Sequence, residues 1–294
     1  MSTLQNKIDF AVIFRVTNAN PNGDPLNGNR PRTDYSNYGE MSDVSIKRKI
    51  RDRLLERWTD AGGSDDGNMI FVQSDDRKAD DAKSLRSRAE AVLGKELGSE
   101  KTAELACKKW LDVRTFGQLF ALKSNKKAGK KKEDGSDDNG DTGVSVGIRG
   151  PVTVQSAFSV EPVDVTSLQI TKSVSGEGDG TKRSSDTMGM KHRVDHGVYR
   201  FFGSMNPQLA VRTGFSDKDA DAIKAVLPRL FENDASSARP EGSMQVLKVL
   251  WWQHNSKSGQ YSSAKVHGSL TVNPDGSFEL ANLAGLEPEV FEGF

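Results

Sequence analysis

The chain opens on a period of two. Ile8, Phe10, Val12, Phe14 and Val16 interleave with Asp9, Ala11, Ile13 and Arg15. That alternation predicts a strand, and the apolar residues on both of its faces place it centrally in a sheet. A long loop rich in Asn, Gly and Pro follows, and then the period changes. Ile46, Ile50, Leu54 and Trp58 recur every fourth residue, which predicts a helix with one apolar stripe, capped by Ser42 or Asp43. Residues 59–68 read as a turn and 69–72 as a short strand. The charged segment 74–110 has helical propensity broken by Gly94 and Gly98, so it predicts two or three short helices in a small inserted subdomain. Val113, Phe116, Leu119 and Phe120 have helical spacing, so 111–122 reads as a core helix. Residues 144–163 are β-branched and predict one or two strands broken at Gly150-Pro151. Residues 164–193 start strand-like and run into a Gly- and Ser-rich tip, a protruding hairpin that returns through a strand at 194–202. A helix over 217–231, capped by Ser216 and kinked or ended by Pro228, precedes a strand at 244–252. A hairpin over 265–280 turns at Asn273-Pro274-Asp275-Gly276. This order, without an internal repeat, gives an α+β class with an antiparallel sheet flanked by helices.

Composition narrows the picture. A chain of 294 residues can bury a sizeable core, and 41 Lys and Arg balance 41 Asp and Glu. Affinity for nucleic acid must therefore come from local patches and not from global charge. Residues 124–143 hold five lysines followed by five acidic residues with almost nothing apolar between them, the composition of a flexible surface loop. Cys107 has no partner for an internal disulfide, which suits a reducing compartment, and its helical setting favours packing over nucleophilic work. No apolar run approaches the roughly 18–20 residues that span a bilayer. The start of the chain does not resemble a signal peptide. The expectation is a soluble, cytoplasmic protein that uses no membrane.

The chemistry concentrates in residues 18–58. Arg30 and Arg32 sit in the Gly- and Asn-rich loop, and Lys47, Arg48 and Arg51 crowd the start of the helix. Free N–H groups, the positive end of the helix dipole and nearby cations suit anionic oxygen. The competing reading is a solvated basic helix face beside a surface loop. His192 and His196 would make a metal pair on a helix, but the residues around them alternate like a strand and no third ligand accompanies them. Neither a metal nor a cofactor is expected. His254 and His267 are isolated in sequence, and the acidic pairs at 65–66, 75–76 and 80–81 read as solvated carboxylates and not a two-metal centre. With no phosphate-binding P-loop, dinucleotide fingerprint or Cys-x-x-Cys, the chain reads as a binding or assembly protein and not an enzyme.

Five blocks carry a resemblance: NPNGDPLNGNRPRTD, SDVSIKRKIRD, DVRTFGQLFA, GIRGPVTVQSAFSVEPV and TMGMKHRVDHGVYRFFGSMN, in that order. Over residues 7–250 the chain resembles the Cas-seven (Csd) family, the CRISPR-associated backbone subunit of type I-C Cascade. The resemblance implies a single palm domain over 1–294 with a modified RNA-recognition-motif (ferredoxin-like) core. It further implies a helical finger insertion at 74–110 and a thumb hairpin at 164–193. Copies of such a subunit stack head to tail along the spacer of a CRISPR RNA. They work beside Cas-five-type and large Cas-eight-type subunits and present the guide to complementary target DNA in antiviral defence. The S-x-x-S-x-K-R run of Ser42, Ser45, Lys47 and Arg48, continued by Arg51, corresponds to the family's phosphate-binding loop and helix. Asn20, Asn22, Asn27, Arg30 and Arg32 lie in the preceding block, and Lys172, Lys191 and Arg193 lie on the thumb. Met188 and Met190 would wedge at a displaced base, or else pack in a core or interface. Guide binding independent of sequence needs phosphate, ribose and shape contacts, which these residue types supply. VYRFF at 198–202 matches the stacking signature of an RNA-recognition motif only weakly, so stacking on the sheet face is not assumed. Two alternatives stand beside this reading. One is an RNA-processing endoribonuclease of related fold using His192 or His196; the other is a self-assembling protein that binds no RNA.

Overall fold

The computed structural model describes residues 2–64, 66–122, 144–171 and 188–294. The expected first strand is β1, Ile8–Ala19, buried on both faces over most of its length. The loop after it is more ordered than its composition implies. It contains a small hairpin of β2, Gly23–Asp24, and β3, Arg30–Pro31, and leads into β4, Tyr38–Met41. α1, Asp43–Asp60, starts as expected, with the Ser42 hydroxyl accepting from the Ser45 N–H at 3.3 Å. Ile46, Ile50 and Leu54 are buried against the sheet, each worth roughly 1.5–3 kcal/mol by removal of apolar area from water.

The segment after α1 departs from expectation at two places. Residues 69–72 are not a strand: only Met69 makes a bridge, to Trp110, and the Phe71 and Val72 N–H groups donate to the Asp112 carboxylate at 2.7 and 3.0 Å. α2, Leu85–Leu93, and α3, Thr102–Lys109, fill the charged segment with the short helices anticipated there. They have a hydrophobic cluster of their own around Phe71, Trp110 and Phe120. Cys107 packs in it, and burial pushes its thiol up to about 11. The second departure is the core helix over 111–122. It stops as α4, Leu111–Phe116, and the chain continues as β5, Gly117–Leu122, paired with β6, Val144–Arg149. Gly117 is the reason: its φ is +83°, and a Cβ there would run into the Ile148 carbonyl oxygen. Leu119, read as core, is 60% exposed. The segment 124–143 lies outside the described residues.

Beyond the break at Gly150-Pro151 come β7, Val152–Val154, β8, Ala157–Pro162, and β9, Val165–Thr171. The return strand, β10, is longer than expected and spans Met188–Met205. An unanticipated short helix follows, α5, Pro207–Thr213, capped by Asn206. α6, Asp217–Val226, has the expected Ser216 cap, and Pro228 falls in the 3-10 turn that ends it. β11 is Met244–Gln253. α7, Ser263–Gly268, takes the start of the expected hairpin, which is confined to β12, Leu270–Val272, and β13, Phe278–Leu280. β14, Glu289–Glu292, closes the chain. The main sheet runs β14-β11-β1-β10-β8-β4, antiparallel throughout, with β7 and β9 also on β10. The class is α+β, as expected.

Both faces of this sheet are covered. Phe10, Val12, Phe14 and Val16 pack under α1 and α6, with Phe14 stacked on Tyr199 at 5.3 Å and Phe10 on Trp251 at 5.7 Å. Ala11 and Ile13 face a second cluster with Trp252, Val266 and Leu270. On that side Asp9 is fully buried, 2.9 Å from His254 Nε2, 3.3 Å from His267 Nε2 and 3.2 Å from Lys7 Nζ. Nδ1 of His254 accepts the Gln260 N–H at 2.9 Å, so its proton sits on Nε2 and is donated to Asp9. Burial alone would raise the Asp9 carboxyl. The hydrogen bond from His254, with His267, Ser263 and the Lys7 charge close by, holds it well below the carboxylate range. Among the described residues, no helix is long and apolar enough to cross a membrane.

Candidate nucleic-acid interface

Ala19 near the end of β1 pairs with Val194 of β10, which pairs in turn with Val165 of β9. From that point β9 and β10 continue as a two-stranded ribbon past the end of β1, and the loop bearing Asn20 to Arg32 departs from the same place. The two are tied together. Arg30 Nη1 donates to Ser167 Oγ on the ribbon at 2.9 Å, and Ser167 Oγ is also 2.9 Å from His192 Nδ1. The loop is tied to α1 as well, because the Asn22 side-chain oxygen accepts the Ser42 N–H at 2.9 Å. Loop, helix start and ribbon base therefore form one contiguous surface.

Within the loop the three asparagines expected at the site divide the work. Asn20 is 3% exposed and donates to the Asn29 carbonyl at 2.7 Å, so it braces the loop from beneath. Asn22 anchors the start of α1. Asn27 stands exposed, at a tight turn where Gly28 and Asn29, exposed as well, adopt φ near +58° and +59°. Two further exposed side chains, Leu26 and Tyr35, flank this turn and the next; nothing in the hydrophobic pattern singled them out.

Most of the expected cations already have carboxylate partners. Arg32 lies 3.5 Å from Asp24, Lys47 2.9 Å from Asp43, and Arg193 3.1 Å from Asp195. Arg48 reaches Asp52 at 3.4 Å and Asp234 at 3.2 Å. Arg30 and Lys191 have no carboxylate partner among the described residues. The surface pairs of Arg32, Lys47 and Arg193 are worth about 0–1 kcal/mol each, so an incoming anion can exchange for those carboxylates at little cost, whereas the two carboxylates that hold Arg48 are buried. Arg51 is different and is a correction to the expected set. It turns inward to Asp112 at 2.9 Å, lies over Phe116 at 4.9 Å, and its side chain is 12% exposed. Its charge holds α1 to α4 and does not face solvent.

The ribbon carries side chains on both faces. Met188, Met190 and His192 share one face with Ser167 and Gln169; Lys191 and Arg193 share the other with Leu168 and Ile170. Met188 and Met190 are 63% and 56% exposed, so core packing within the chain does not account for them. Lys172 lies outside the described residues. Tyr199 and Phe201 are fully buried, and Phe202 stacks on His267 at 4.7 Å, so these strand aromatics offer no open platform for bases. A cavity of about 660 Å³ lies toward the other end of α1, lined by Trp58, Cys107 and Thr213, away from the loop.

A sequence model of one family, CRISPR-associated protein Cas7, matches residues 6–284. The chain belongs to the Cas7 family. Its similarity to a curated member, the CRISPR-associated protein Cas7 of Haloferax volcanii, is 24% identity over 302 aligned positions, covering 99% of this chain and 82% of that one. Among solved structures, a chain of a pre-nicking CRISPR RNA-guided surveillance complex aligns at 18% identity and a TM-score of 0.43, over 84% of this chain and 75% of that chain. A chain of another CRISPR RNA-guided surveillance complex aligns at 18% identity and a TM-score of 0.40, over 84% and 68%. The Cas-seven resemblance of the five sequence blocks thus agrees with the family match. Those blocks supply much of the interface: the first two build the loop and the first half of α1, and the last covers all of β10, while Ser167 of β9 lies outside them.

Proposed function

We propose that this Cas7-family chain is a non-catalytic CRISPR RNA-binding backbone subunit of a type I-C Cascade. Copies of it line the guide head to tail and present it to complementary target DNA, alongside Cas-five-type and Cas-eight-type subunits. The observation that carries the reading is the junction where β1, the loop and the β9–β10 ribbon part, joined by Arg30, Ser167 and Asn22. It sets Arg30, through Ser167, on the ribbon face that carries the exposed methionine pair, with Lys191 and Arg193 on the opposite face, chemistry suited to phosphate oxygens and an unstacked base. Asn27, Arg30, Arg32, Ser42, Ser45, Lys47, Arg48, Lys191 and Arg193 are the proposed backbone contacts, with Lys172 among them by its place in sequence. Asn20 and Asn22 act by shaping the loop, and Arg51 leaves the set. The palm, on this reading, is a modified RNA-recognition motif whose sheet is covered on both faces. The insertion holding α2 and α3 serves as fingers and the ribbon as thumb, with Met188 and Met190 at the displaced base.

The test is to express the chain with a CRISPR array, purify it, trim the bound nucleic acid with nuclease and size what remains. Guide-length RNA protected in steps of one subunit footprint is the expected result. Protein free of RNA, or a homogeneous cut product from added precursor, would overturn it.

A further inference from the structure

Asp234, in the segment after α6, is 7% exposed and receives three cations. Arg48 Nη2 lies 3.2 Å from it, Arg239 Nε lies 3.0 Å from it, and the buried Lys49 ammonium donates to the same carboxylate. Asp52 takes Nε of Arg48 at 3.4 Å and also accepts the Ser74 hydroxyl at 3.0 Å. Three basic side chains thus share two carboxylates, and Arg77, bonded to the neighbouring Asn233 carbonyl, lies 4.0 Å from a carboxylate of its own, Asp76. Burial, then the charges of Arg239 and Arg48, push Lys49 well below its ordinary range.

The positive surplus is accessible and adjoins the loop. Lys49 is sealed at 2% exposure, but the Arg48 and Arg239 side chains are 47% and 21% exposed. Each guanidinium is gripped by one edge. Arg239 uses Nε alone, and Arg48 uses Nε and Nη2, so both Nη groups of Arg239 and Nη1 of Arg48 have no acceptor among the described residues. The segment that carries Arg239 is docked on the loop strand: the Asn20 N–H donates to the Ala238 carbonyl at 2.9 Å and the Thr17 N–H to the Ser243 carbonyl at 2.8 Å. Arg48 lies one turn beyond Val44 and Ser45 on the same side of α1.

We propose that Arg48 and Arg239 form a phosphodiester-binding position on the flank of the α1 start, with Asp234 beneath them as the positioning residue. It rests on the nucleic-acid reading above and adds to it a residue from the far end of the chain. Planar forks of N–H donors match non-bridging phosphate oxygens, and a fixed carboxylate behind them keeps the forks oriented before the ligand arrives. The competing role for the same contacts is a clasp holding the 234–243 segment to α1.

The experiment titrates full-length protein with a homopolymeric single-stranded RNA oligonucleotide by fluorescence anisotropy over a series of salt concentrations. Arg239→Gln is expected to weaken binding several-fold at low salt, and to flatten the slope of log K against log salt by roughly 0.7, the value for one lost phosphate contact on a single strand. The variant should stay folded with a melting temperature only modestly below the wild type, because Asp234 keeps Arg48 and Lys49. Asp234→Asn removes the carboxylate that keeps both forks oriented, so it should weaken binding at low salt, and tighter binding by that variant would overturn the positioning role. Because that change strands Lys49, Arg239→Gln decides the matter if Asp234→Asn does not fold. An Arg239→Gln line parallel to the wild type, whether displaced or not, overturns this position alone. Wild-type protein that does not bind the oligonucleotide overturns the underlying reading and this position with it.

Discussion

Replacing Arg51 by Met separates structural from ligand-binding cations on α1. Arg51 donates Nε to Asp112 at 2.9 Å and its side chain is 12% exposed, while Asp112 is fully buried. Removing one partner of a buried pair commonly costs about 3–5 kcal/mol, because the other charge is left uncompensated. Here Asp112 keeps the Phe71 and Val72 N–H bonds, and methionine still covers Phe116, so a loss of about 2–3 kcal/mol is expected. At roughly 2 °C per kcal/mol for a domain of this size, the melting temperature should fall by about 5 °C. Lys47→Gln is the contrast. Its pair with Asp43 is on the surface, with the two side chains 25% and 38% exposed, so stability should change by less than about 0.5 kcal/mol. On the proposed reading, Lys47→Gln flattens the salt dependence of RNA binding, by less than the roughly 0.7 in slope of a contact that displaces no carboxylate, and Arg51→Met leaves the slope unchanged. The readouts are differential scanning calorimetry and anisotropy titrations on the same preparations. An Arg51→Met protein that melts like the wild type and loses slope like Lys47→Gln would refute the inward assignment.

Two further outcomes follow from the fold. Gly117→Ala puts a Cβ at φ +83° against the Ile148 carbonyl, so it should cost about 2 kcal/mol or more, read as a lower urea midpoint; an unchanged midpoint would mean that the α4–β5 junction is wrongly drawn. Asp9→Asn should destabilise at neutral pH. The folded Asp9 carboxyl is held below its ordinary 3.8, so its contribution is present above that value and is lost as pH falls through the folded value. The wild-type advantage over Asp9→Asn should therefore be constant above about pH 5 and shrink below about pH 4. Equal advantages at pH 7 and at about pH 3.5 would count against the ionised, hydrogen-bonded carboxylate.

The elements legible in the sequence were those whose own residues decide them. β1, α1 and α6 carry strong periodicity, and Ser42 and Ser216 cap where their side chains can reach the third N–H. The misassignments came from features that the third dimension decides. Leu119 and Phe120 continue a helical spacing, but the left-handed Gly117 turns the chain into β5 first. Phe71 and Val72 resemble a strand, but their N–H groups go to Asp112, forty residues on, and not to a neighbouring strand. α5 and α7 are short and were missed, although Asn206-Pro207 carries the usual start signal of a cap followed by proline. At the candidate site the sequence supplied the cations but not their directions. Lys49 sits beside the apolar stripe of α1, which could have flagged it as buried; nothing local points to Asp234 or Arg239, because tertiary packing alone brings them to Arg48.

The pairing of these cations bears on how such a surface can hold a polyanion in a chain of zero formal net charge. Arg32, Lys47, Arg48 and Arg193 each face a carboxylate, so the free surface is close to locally neutral and its long-range field is weak. On the proposed reading this favours stacking, since a uniformly basic flank would repel the next copy along the guide. Phosphate can then displace exposed carboxylates one position at a time, because each surface pair is worth about 0–1 kcal/mol while a charge-assisted contact to phosphate is stronger. The salt dependence of binding should therefore be smaller than a count of the lysines and arginines suggests, since each carboxylate set free recovers a counterion that the phosphate has released. Arg30 and Lys191, which have no carboxylate to exchange among the described residues, should contribute most to that slope per residue.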